Sequence, residues 1–258
     1  MKITVLTLFP EMFEGFKTNS IIKRALGKGV VEFEAINIRD YTTDKYGRTD
    51  TPPIGGGAGL VQKAQPIVDA IKAHRNANSK VLLMSPRGST FNQKKAIALS
   101  KEDNIIIVCG HYEGVDERVN AYVDELVSIG DYILTGGEIA AMAISDAVIR
   151  LLDGAISSDS LVDESFNNDL LEYPQYTEPY DFEGETVPDI LYSGNHGAID
   201  KWRRKQSLRL TKEHRPDLFA KVPLSKQDKK LLDELNSEET PKWESDAIEK
   251  GKKFTHKK

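Results

Sequence analysis

The sequence has almost no cysteine and no long hydrophobic run. Cys109 is the only cysteine among the 258 residues, which excludes an internal disulfide and a zinc site built from cysteines. No stretch approaches the roughly 18 consecutive apolar residues of a membrane-spanning helix. The first ten residues contain one lysine and no small-residue cleavage site, so we predict a buried strand there rather than a signal peptide. These absences predict a cytoplasmic protein that does not enter a membrane.

The usual nucleotide-binding loops are also missing. The glycine-rich stretch 55–59 departs from the dinucleotide fingerprint G-x-G-x-x-G at the last position, which Leu60 occupies. The phosphate-binding pattern G-K-[ST] does not occur. Both absences argue against a nicotinamide-dependent oxidoreductase. The five histidines show no spacing that is typical of a metal site, so we predict no metal ligands.

Charge is distributed unevenly along the chain. The net charge is −5, but the segment 196–215 contains seven Lys/Arg residues against two acidic ones. This segment alone is therefore +5, and the rest of the chain carries −10. Because a local positive surface attracts phosphate groups whatever the total charge is, the segment is a candidate contact for nucleic acid.

Predicted strands and helices alternate over the first half of the chain. The continuous β-branched run Ile105–Val108 is typical of a strand that is buried on both faces of a parallel sheet. The alternation as a whole predicts an α/β fold with a mostly parallel sheet. The predicted strands are Ile3–Leu8, Val30–Ile38, Lys80–Ser85, Asn104–Cys109 and Asp124–Val127. The predicted helices are Ser20–Gly27, Gln65–Ala77, Asn92–Ser100 and Glu138–Leu152.

The second half of the chain is organised differently. It begins with a stretch that is rich in Ser and Asp and has little periodicity, which predicts a flexible linker. Helices predicted at Ala198–Leu210 and Ser225–Leu235 form a small domain after it. The last residues are rich in lysine, which predicts disorder. The predicted organisation is an α/β domain at 1–156, a linker at 157–172, a helical domain at 173–238 and a disordered tail at 239–258.

Three loops that contain glycine follow predicted strands. They are Ser85–Gly88, Cys109–Gly114 and Ser128–Glu138. Ligands of open α/β sheets bind beyond the carboxyl ends of the strands, and glycine lets the backbone approach a ligand closely. A tight turn would explain one such loop. Three of them at equivalent positions favour a pocket for a flat heterocycle.

Several motifs resemble one known family. The stretches CGHYEGVDER at 109–118 and SIGDYILTGGE at 128–138 closely resemble the bacterial tRNA (guanine-N1)-methyltransferases. LFPEMF at 8–13, EYPQYT at 172–177 and WRRKQSL at 202–208 are similar to the same family and occur in the same order. The resemblance runs from residue 3 to about residue 211 and thus covers most of the chain.

The resemblance implies a fold, an assembly and a cofactor. The fold is the deep trefoil knot of the SPOUT class, followed by a small C-terminal helical domain. The assembly is an obligate homodimer with its active site at the subunit interface. The cofactor is S-adenosylmethionine, bound in a bent shape within the knot. The implied cofactor-binding residues are Met84, Ser85, Pro86, Gly110, Tyr112, Ile129, Gly130, Asp131, Tyr132, Ile133, Leu134, Gly136 and Gly137.

Methylation of guanine at N1 requires loss of the N1 proton, which places negative charge towards O6. The minimal chemistry is therefore one carboxylate base and one cation near O6. The resemblance assigns the cation to Arg150, whose alternative role is that of a cation at a helix C-terminus. No cysteine nucleophile is needed, so we predict that Cys109 packs in the core. The family also leaves room for Mg²⁺, for which the spacing here identifies no ligands.

The candidate base lies in the linker. The family pattern there is D-S-F, with the aspartate taking the proton, and this chain has Glu164 followed by Ser-Phe. We therefore predict Glu164 as the base, because glutamate offers the same chemistry with one more methylene. Asp163 competes through a slip of one residue. The alternative interpretation is that Glu164 and Asp163 are solvent-exposed acids of the linker and have no catalytic role.

The resemblance also implies residues that contact tRNA. Glu113 matches a residue that reads a tRNA base, although a turn acid that caps the next helix explains it equally well. The cations that surround Trp202 match a phosphate-contacting surface: Arg203, Arg204, Lys205 and Arg209. Four positions depart from the family: His111 stands where Arg is common, Glu178 where an Arg is usual, and Ala58 and Ala140 where prolines are frequent.

The sequence thus predicts transfer of a methyl group from S-adenosylmethionine to N1 of guanosine 37, the nucleoside 3′ of the anticodon of certain tRNAs. A ribose 2′-O-methyltransferase of the same knotted class is an alternative, and it would have no base proton to remove. A non-catalytic RNA-binding relative is another, because the linker has glutamate in place of aspartate.

Overall fold

The computed structural model describes residues 1–157, 164–166, 169–237 and 239–255. The chain divides into two compact units, Met1–Leu161 and Val162–Lys258. The division falls within the stretch that the sequence predicts as a linker. Asp163, the alternative candidate base, lies outside the described residues.

The N-terminal unit is built on a five-stranded parallel sheet. The strands of the whole unit are β1 (Lys2–Thr7), β2 (Glu32–Asn37), β3 (Asp50–Thr51), β4 (Val61–Gln62), β5 (Ser79–Thr90), β6 (Asn104–Val108) and β7 (Glu125–Ser128). The order across the sheet is β2-β1-β6-β5-β7, and all neighbours in it are parallel. β3 and β4 form a separate antiparallel pair. The predicted α/β class with a mostly parallel sheet is confirmed.

Helices cover both faces of this sheet. They are α1 (Glu14–Thr18), α2 (Ser20–Gly27), α3 (Ala64–His74), α4 (Gln93–Leu99) and α5 (Glu138–Ile149). Alternate residues of the central strand β6 point to opposite faces. Ile105 and Ile107 pack in the cluster that contains residues of α5, whereas Ile106 and Val108 pack with residues of α3. β6 is buried on both sides, as its β-branched run predicts.

β5 is longer than the sequence predicts. It continues past Ser85 to Thr90, and its register against β7 shifts between Met84 and Ser89, which both pair with Val127. The intervening residues form an irregular segment in which Gly88 lies against β7. A Cβ atom on Gly88 would come within 2.3 Å of the Val127 backbone nitrogen, so only glycine fits there. The predicted loop Ser85–Gly88 thus interrupts the pairing of β5 with β7, which resumes at Ser89.

The C-terminal unit is mainly helical. A short hairpin of β8 (Asp181–Phe182) and β9 (Glu185–Thr186) precedes α6 (His196–His214), α7 (Pro216–Phe219), α8 (Lys226–Leu235) and α9 (Lys242–Thr255). The side chain of Asn195 caps α6 by accepting a hydrogen bond from the Ala198 amide at 3.2 Å. A capping box between Ser225 and Asp228 starts α8. In the described ranges, no helix is both long enough and apolar enough to span a membrane.

The helix α9 differs from the predicted disordered tail at 239–258. Ala247 lies four residues after Trp243 and is buried in a cluster with Trp202 and Ile190. Trp243 packs on the edge of the same cluster. This spacing gives α9 an apolar stripe, which supports the helix although many of its other residues are charged. The prediction of disorder weighed the lysines and did not use the apolar spacing.

Candidate functional site

The loops after β6 and β7 meet at one edge of the sheet, together with β5. The amide of Gly137 donates a hydrogen bond to the carbonyl of Gly110 at 3.0 Å. His111 and Gly136 form an isolated antiparallel bridge. Since β6, β5 and β7 are neighbours, their carboxyl ends lie side by side. The structure therefore brings together the predicted cofactor-binding segments of the N-terminal unit.

The glycines of these loops are in contact with other protein atoms. A Cβ atom on Gly137 would lie 2.8 Å from Cys109 Cα and 3.0 Å from Met84 Cβ. A Cβ atom on Gly136 would lie 2.3 Å from the ring of His111. Gly130 has a φ of +151° and lies under the ring of Tyr132. The glycines are thus required first for the close packing of the loops on one another.

The loop between Gly130 and Gly136 also presents apolar surface to solvent. Ile133 is 81% exposed and Tyr132 is 55% exposed. Tyr132 and Ile133 are adjacent in the chain, and a contiguous apolar patch is more informative about ligand or partner binding than single exposed side chains are. Beside the backbone groups of the two loops, they offer a surface on which a flat heterocycle can lie. The residues present therefore fit the adenosyl group that the cofactor implies.

A buried carboxylate lies directly beneath these loops. Glu138, the first residue of α5, is only 1% exposed. One of its oxygens accepts a hydrogen bond from the hydroxyl of Thr7 at 2.6 Å, and the other lies 2.7 Å from Nε2 of His111. The sequence analysis did not select this residue. Its signal was a lone acid at the start of an otherwise apolar helix, immediately after two glycines.

Cys109 has the structural role that the sequence predicts. It is completely buried in the core between the sheet and α5. Burial, together with the nearby carboxylate of Glu138, raises the pKa of its thiol well above the usual range. A thiol that stays protonated is a poor nucleophile.

Tyr112 and Glu113 lie at the outer side of the same loop. Tyr112 has a φ of +61° and is half-exposed, and partial burial together with the carboxylate of Asp50 raises its pKa. Glu113 is exposed, and its amide donates a hydrogen bond to the carbonyl of Leu60 at 3.0 Å. The side chain of Glu113 packs so closely on Gly59 that a Cβ atom there would lie 2.5 Å away. The glycine-rich stretch 55–59 therefore faces the loop after β6.

The predicted catalytic residues lie in different units. Arg150 follows the last residue of α5, where its amide donates to the carbonyl of Asp146 at 3.1 Å. This place suits the structural role of a C-terminal cation as well as the catalytic one. Glu164 belongs to the C-terminal unit and lines a cavity of about 300 Å³ together with Tyr173 and Arg203.

The four predicted tRNA-contacting cations of α6 are not equivalent. Lys205 is buried, and its ammonium lies 2.6 Å from the carboxylate of Glu244. Arg204 forms a two-pronged pair with Asp228, at 2.8 and 3.1 Å. Arg203 and Arg209 are each 38% exposed at the side chain. The guanidinium of Arg203 lies 4.8 Å from the centre of the Tyr173 ring, an arrangement that holds it at the surface.

The pair of Arg204 and Asp228 predicts a pH dependence of stability. Hydrogen bonds from Arg204 lower the pKa of Asp228 to about 2. Since this folded-state pKa lies below the unfolded one, the stabilisation is present above about pH 4 and disappears as the pH falls towards 2. Asp228→Asn leaves Arg204 without its partner, and we expect it to lower the free energy of unfolding by about 1–2 kcal/mol at pH 7, because the side chain of Arg204 is 38% exposed and solvent screens its charge.

Urea unfolding of both proteins, followed by far-ultraviolet circular dichroism at pH 7 and near pH 3, checks this prediction. The difference in the free energy of unfolding between the wild type and Asp228→Asn should be smaller at the lower pH. Asp217→Asn is the matched control, because Asp217 pairs with Arg215 on the surface and solvent screens such a pair. An equal effect of both substitutions would refute a special role of the buried pair.

The described residues do not fit a metal ion. Within the described ranges, no group of three or more His, Cys, Asp or Glu side chains is arranged to hold one. The described residues therefore offer no set of ligands for the Mg²⁺ ion that the resemblance allows.

The sequence of this chain matches a known protein family. Residues 1–221 match the model of the family described as tRNA (Guanine-1)-methyltransferase TrmD. The chain belongs to this family. The match includes the sheet, the converging loops and all of α6. The family that the motifs predict is confirmed, and with it the prediction of an enzyme that methylates tRNA. A member of this methyltransferase family is expected to use S-adenosylmethionine as the methyl donor.

Relatives in the tRNA (guanine-1)-methyltransferase family match nearly the whole chain. A protein of Clostridium botulinum (strain Eklund 17B / Type B) is 58% identical over 238 residues, which are 92% of this chain and 100% of that protein. One of Clostridium perfringens (strain 13 / Type A) is 56% identical over 234 residues, 90% of this chain and 99% of that protein. A protein of Clostridium novyi (strain NT) is 55% identical over 240 residues, which are 92% of this chain and 99% of that protein. All three are called tRNA (guanine-N(1)-)-methyltransferase.

Proposed function

We propose that this protein transfers the methyl group of S-adenosylmethionine to N1 of guanosine 37, which lies 3′ of the anticodon of tRNA. The observation that carries the proposal is the convergence of the loops after β6 and β7 at the carboxyl ends of neighbouring strands, in a member of this family. The names of the clostridial relatives support the reaction at guanine N1. A tRNA substrate also agrees with the cytoplasmic location that the sequence analysis predicts.

The proposed cofactor site uses backbone groups and the exposed apolar side chains of the loops. Tyr132 and Ile133 supply surface for the adenine, while Gly110 and Tyr112 border it from the loop after β6. In this proposal the chain is knotted. The segment after β7, the edge strand of the sheet, bonds to the loop after β6 on the other side of β5.

The proposed reaction is a direct methyl transfer. The carboxylate of Glu164 takes the N1 proton, the N1 electron pair attacks the methyl carbon, and the carbon–sulfur bond breaks to leave a neutral thioether. Arg150 stabilises the negative charge that develops towards O6. A homodimer with its active site at the subunit interface, as the family resemblance implies, is part of this proposal.

The proposed tRNA surface is narrower than the sequence predicts. The side chains of Arg203, Arg204 and Arg209 are each 38% exposed and are suited to phosphate groups, whereas Lys205 is buried against Glu244 and is left out. Arg204 contributes through its exposed part while it pairs with Asp228. Glu113, exposed at the loop after β6, is the proposed reader of a tRNA base.

Loss of an exposed cation from α6 should change the salt dependence of tRNA binding. Arg203→Gln and Arg209→Gln are each expected to reduce the slope of log Kd against log salt concentration by about 0.7–0.9, because each removes one phosphate contact. Lys229→Gln on the adjacent helix α8 is the control and should leave the slope unchanged. Filter binding from low to moderate salt measures it. Unchanged slopes in both arginine variants would remove α6 from the tRNA surface.

The experiment that tests the proposed function is methyl transfer from labelled S-adenosylmethionine to unmodified tRNA transcripts with G or A at position 37, followed by nucleoside analysis. N1-methylguanosine that forms only on the G transcript is the expected result. A 2′-O-methylated nucleoside would show the alternative knotted enzyme. Tight tRNA binding without any methylated product would show a binding protein.

A further inference from the structure

We propose that Thr7, Glu138 and His111 form a hydrogen-bonded chain that positions the glycine loop of the cofactor site. This inference rests on the proposed function, because it assigns a role in binding S-adenosylmethionine. The chain joins three separate elements: Thr7 ends β1, His111 lies in the loop after β6, and Glu138 starts α5. His111 and Glu138 are thus positioning residues for the methyl donor.

Burial makes the carboxylate of Glu138 dependent on its two partners. Glu138 is 1% exposed, and an isolated buried charge is strongly unfavourable. Its oxygens lie 2.6 Å from the hydroxyl of Thr7 and 2.7 Å from Nε2 of His111. The thiol of Cys109 also lies near this carboxylate. Thr7 and His111 supply the side-chain hydrogen bonds that hold Glu138.

The orientation of His111 is fixed on all sides. Its backbone amide donates a hydrogen bond to Oε1 of Gln62 at 2.9 Å. Its ring meets the ring of Phe9 edge-on, with 4.8 Å between the ring centres. The hydroxyl of Thr7 in turn accepts a hydrogen bond from the amide of Phe9 at 2.9 Å. The imidazole therefore has little freedom to point anywhere but at Glu138.

The pair lies directly against the glycine loop. A Cβ atom on Gly136 would lie 2.3 Å from the ring of His111 and 2.5 Å from Oε2 of Glu138. The next residue, Gly137, bonds to the carbonyl of Gly110. A shift of the pair must therefore move the segment that closes the cofactor site. A hydrogen-bond donor that faces Glu138 from position 111 is the property that the inference requires.

Calorimetric titration of the full chain with S-adenosylmethionine tests the inference. Glu138→Gln and His111→Gln should each weaken binding about 10- to 100-fold, the effect expected when a hydrogen bond to a charged group is lost. Compared with His111→Gln, His111→Arg should restore the affinity to within about threefold of the wild type, because its guanidinium again donates a hydrogen bond to the carboxylate of Glu138. Thr7→Val should weaken binding, whereas Thr7→Ser should not.

The matched control is Thr4→Val. Thr4 lies on the same strand, is equally buried, and donates a hydrogen bond to Glu34 at 2.9 Å, away from the loops. Its removal should leave the affinity for S-adenosylmethionine unchanged. In turnover assays the His111 and Glu138 variants should raise KM for S-adenosylmethionine while kcat changes less than about threefold, since they affect the binding of the donor and not the proton transfer. Their affinity for tRNA should equal that of the wild type.

Two outcomes would overturn the inference. Wild-type affinity in both Glu138→Gln and His111→Gln would show that the pair does not position the loop. A parallel loss of thermal stability, tRNA affinity and cofactor affinity that His111→Arg does not restore would show a purely structural role. Failure of the proposed function is distinguishable, because it is seen in the wild-type protein itself, which would then bind no S-adenosylmethionine or form no N1-methylguanosine.

Discussion

Glu164→Gln is expected to lower the rate of methyl transfer by about 10²- to 10⁴-fold, the usual contribution of a general base. Glutamine has nearly the size of glutamate but cannot take the N1 proton of guanine. Binding of S-adenosylmethionine and of tRNA should remain as in the wild type, because the substitution preserves the shape of the side chain. Single-turnover transfer to a G37 transcript, with both substrates saturating, measures the effect on the chemical step.

Asp163→Asn is the matched control, since it removes the neighbouring carboxylate by the same kind of change. We expect it to keep turnover within about threefold of the wild type. The opposite result, with Asp163→Asn inactive and Glu164→Gln active, would assign the base to Asp163. Glu164→Asp restores the length that the family uses, and it should retain most of the activity.

Gly137→Ala is expected to weaken the binding of S-adenosylmethionine by about 100-fold or more, since a displacement of about 1 Å in a positioned site has effects of that size. Gly137 has ordinary helical angles, with φ −81° and ψ −9°, so alanine meets no backbone strain there. Its methyl group would instead lie 2.8 Å from Cys109 Cα, which must move. Overpacking of this kind should also lower the free energy of unfolding by about 1–3 kcal/mol.

Titration calorimetry and thermal unfolding of the Gly137→Ala variant measure the two effects. Gly27→Ala is the control, because Gly27 lies in α2 and a Cβ atom there has nothing within 4 Å. That substitution should stabilise the protein by about 0.5–1 kcal/mol and leave cofactor binding unchanged. Wild-type affinity in Gly137→Ala would show that the cofactor site does not depend on the close packing of its loops.

Local patterns of the sequence predict most of the secondary structure. The helix Ser20–Gly27 is observed with the predicted bounds, and the buried run of β6 lies at the centre of the sheet. Both follow from signals within a few residues, namely a glycine at the helix end and consecutive β-branched side chains. The continuation of β5 through Pro86 does not follow from local signals. It depends on pairing with β7, about 40 residues later in the chain.

Buried polar contacts of the candidate site are equally hidden from local patterns. Glu138 bonds to Thr7, which is 131 residues away in the sequence, so no pattern around either residue indicates the contact. The glycines were predicted to make room for a ligand, and the structure shows that several of them make room for other loops. Only the assembled sheet reveals which atoms occupy the positions of the missing side chains.

The distinction among the cations of α6 was within reach of the sequence. Trp202, Lys205 and Leu208 recur at a spacing of three, which places them near one face of a helix, and all three are buried. Lys205 thus belongs to the inner face, whereas the arginine at 203 does not. The prediction of one continuous basic surface did not take into account that successive residues of a helix point to different sides.

Both tryptophans of the chain, Trp202 and Trp243, lie in the C-terminal unit. Lys201 lies 4.0 Å and Lys205 lies 5.2 Å from the ring centre of Trp243, and Trp202 is buried beside Ala247. Intrinsic tryptophan fluorescence therefore reports on this unit alone. The protein carries its own optical probe for events at α6 and α9, while changes in the cofactor-binding unit can be followed only through tyrosine or through an introduced label.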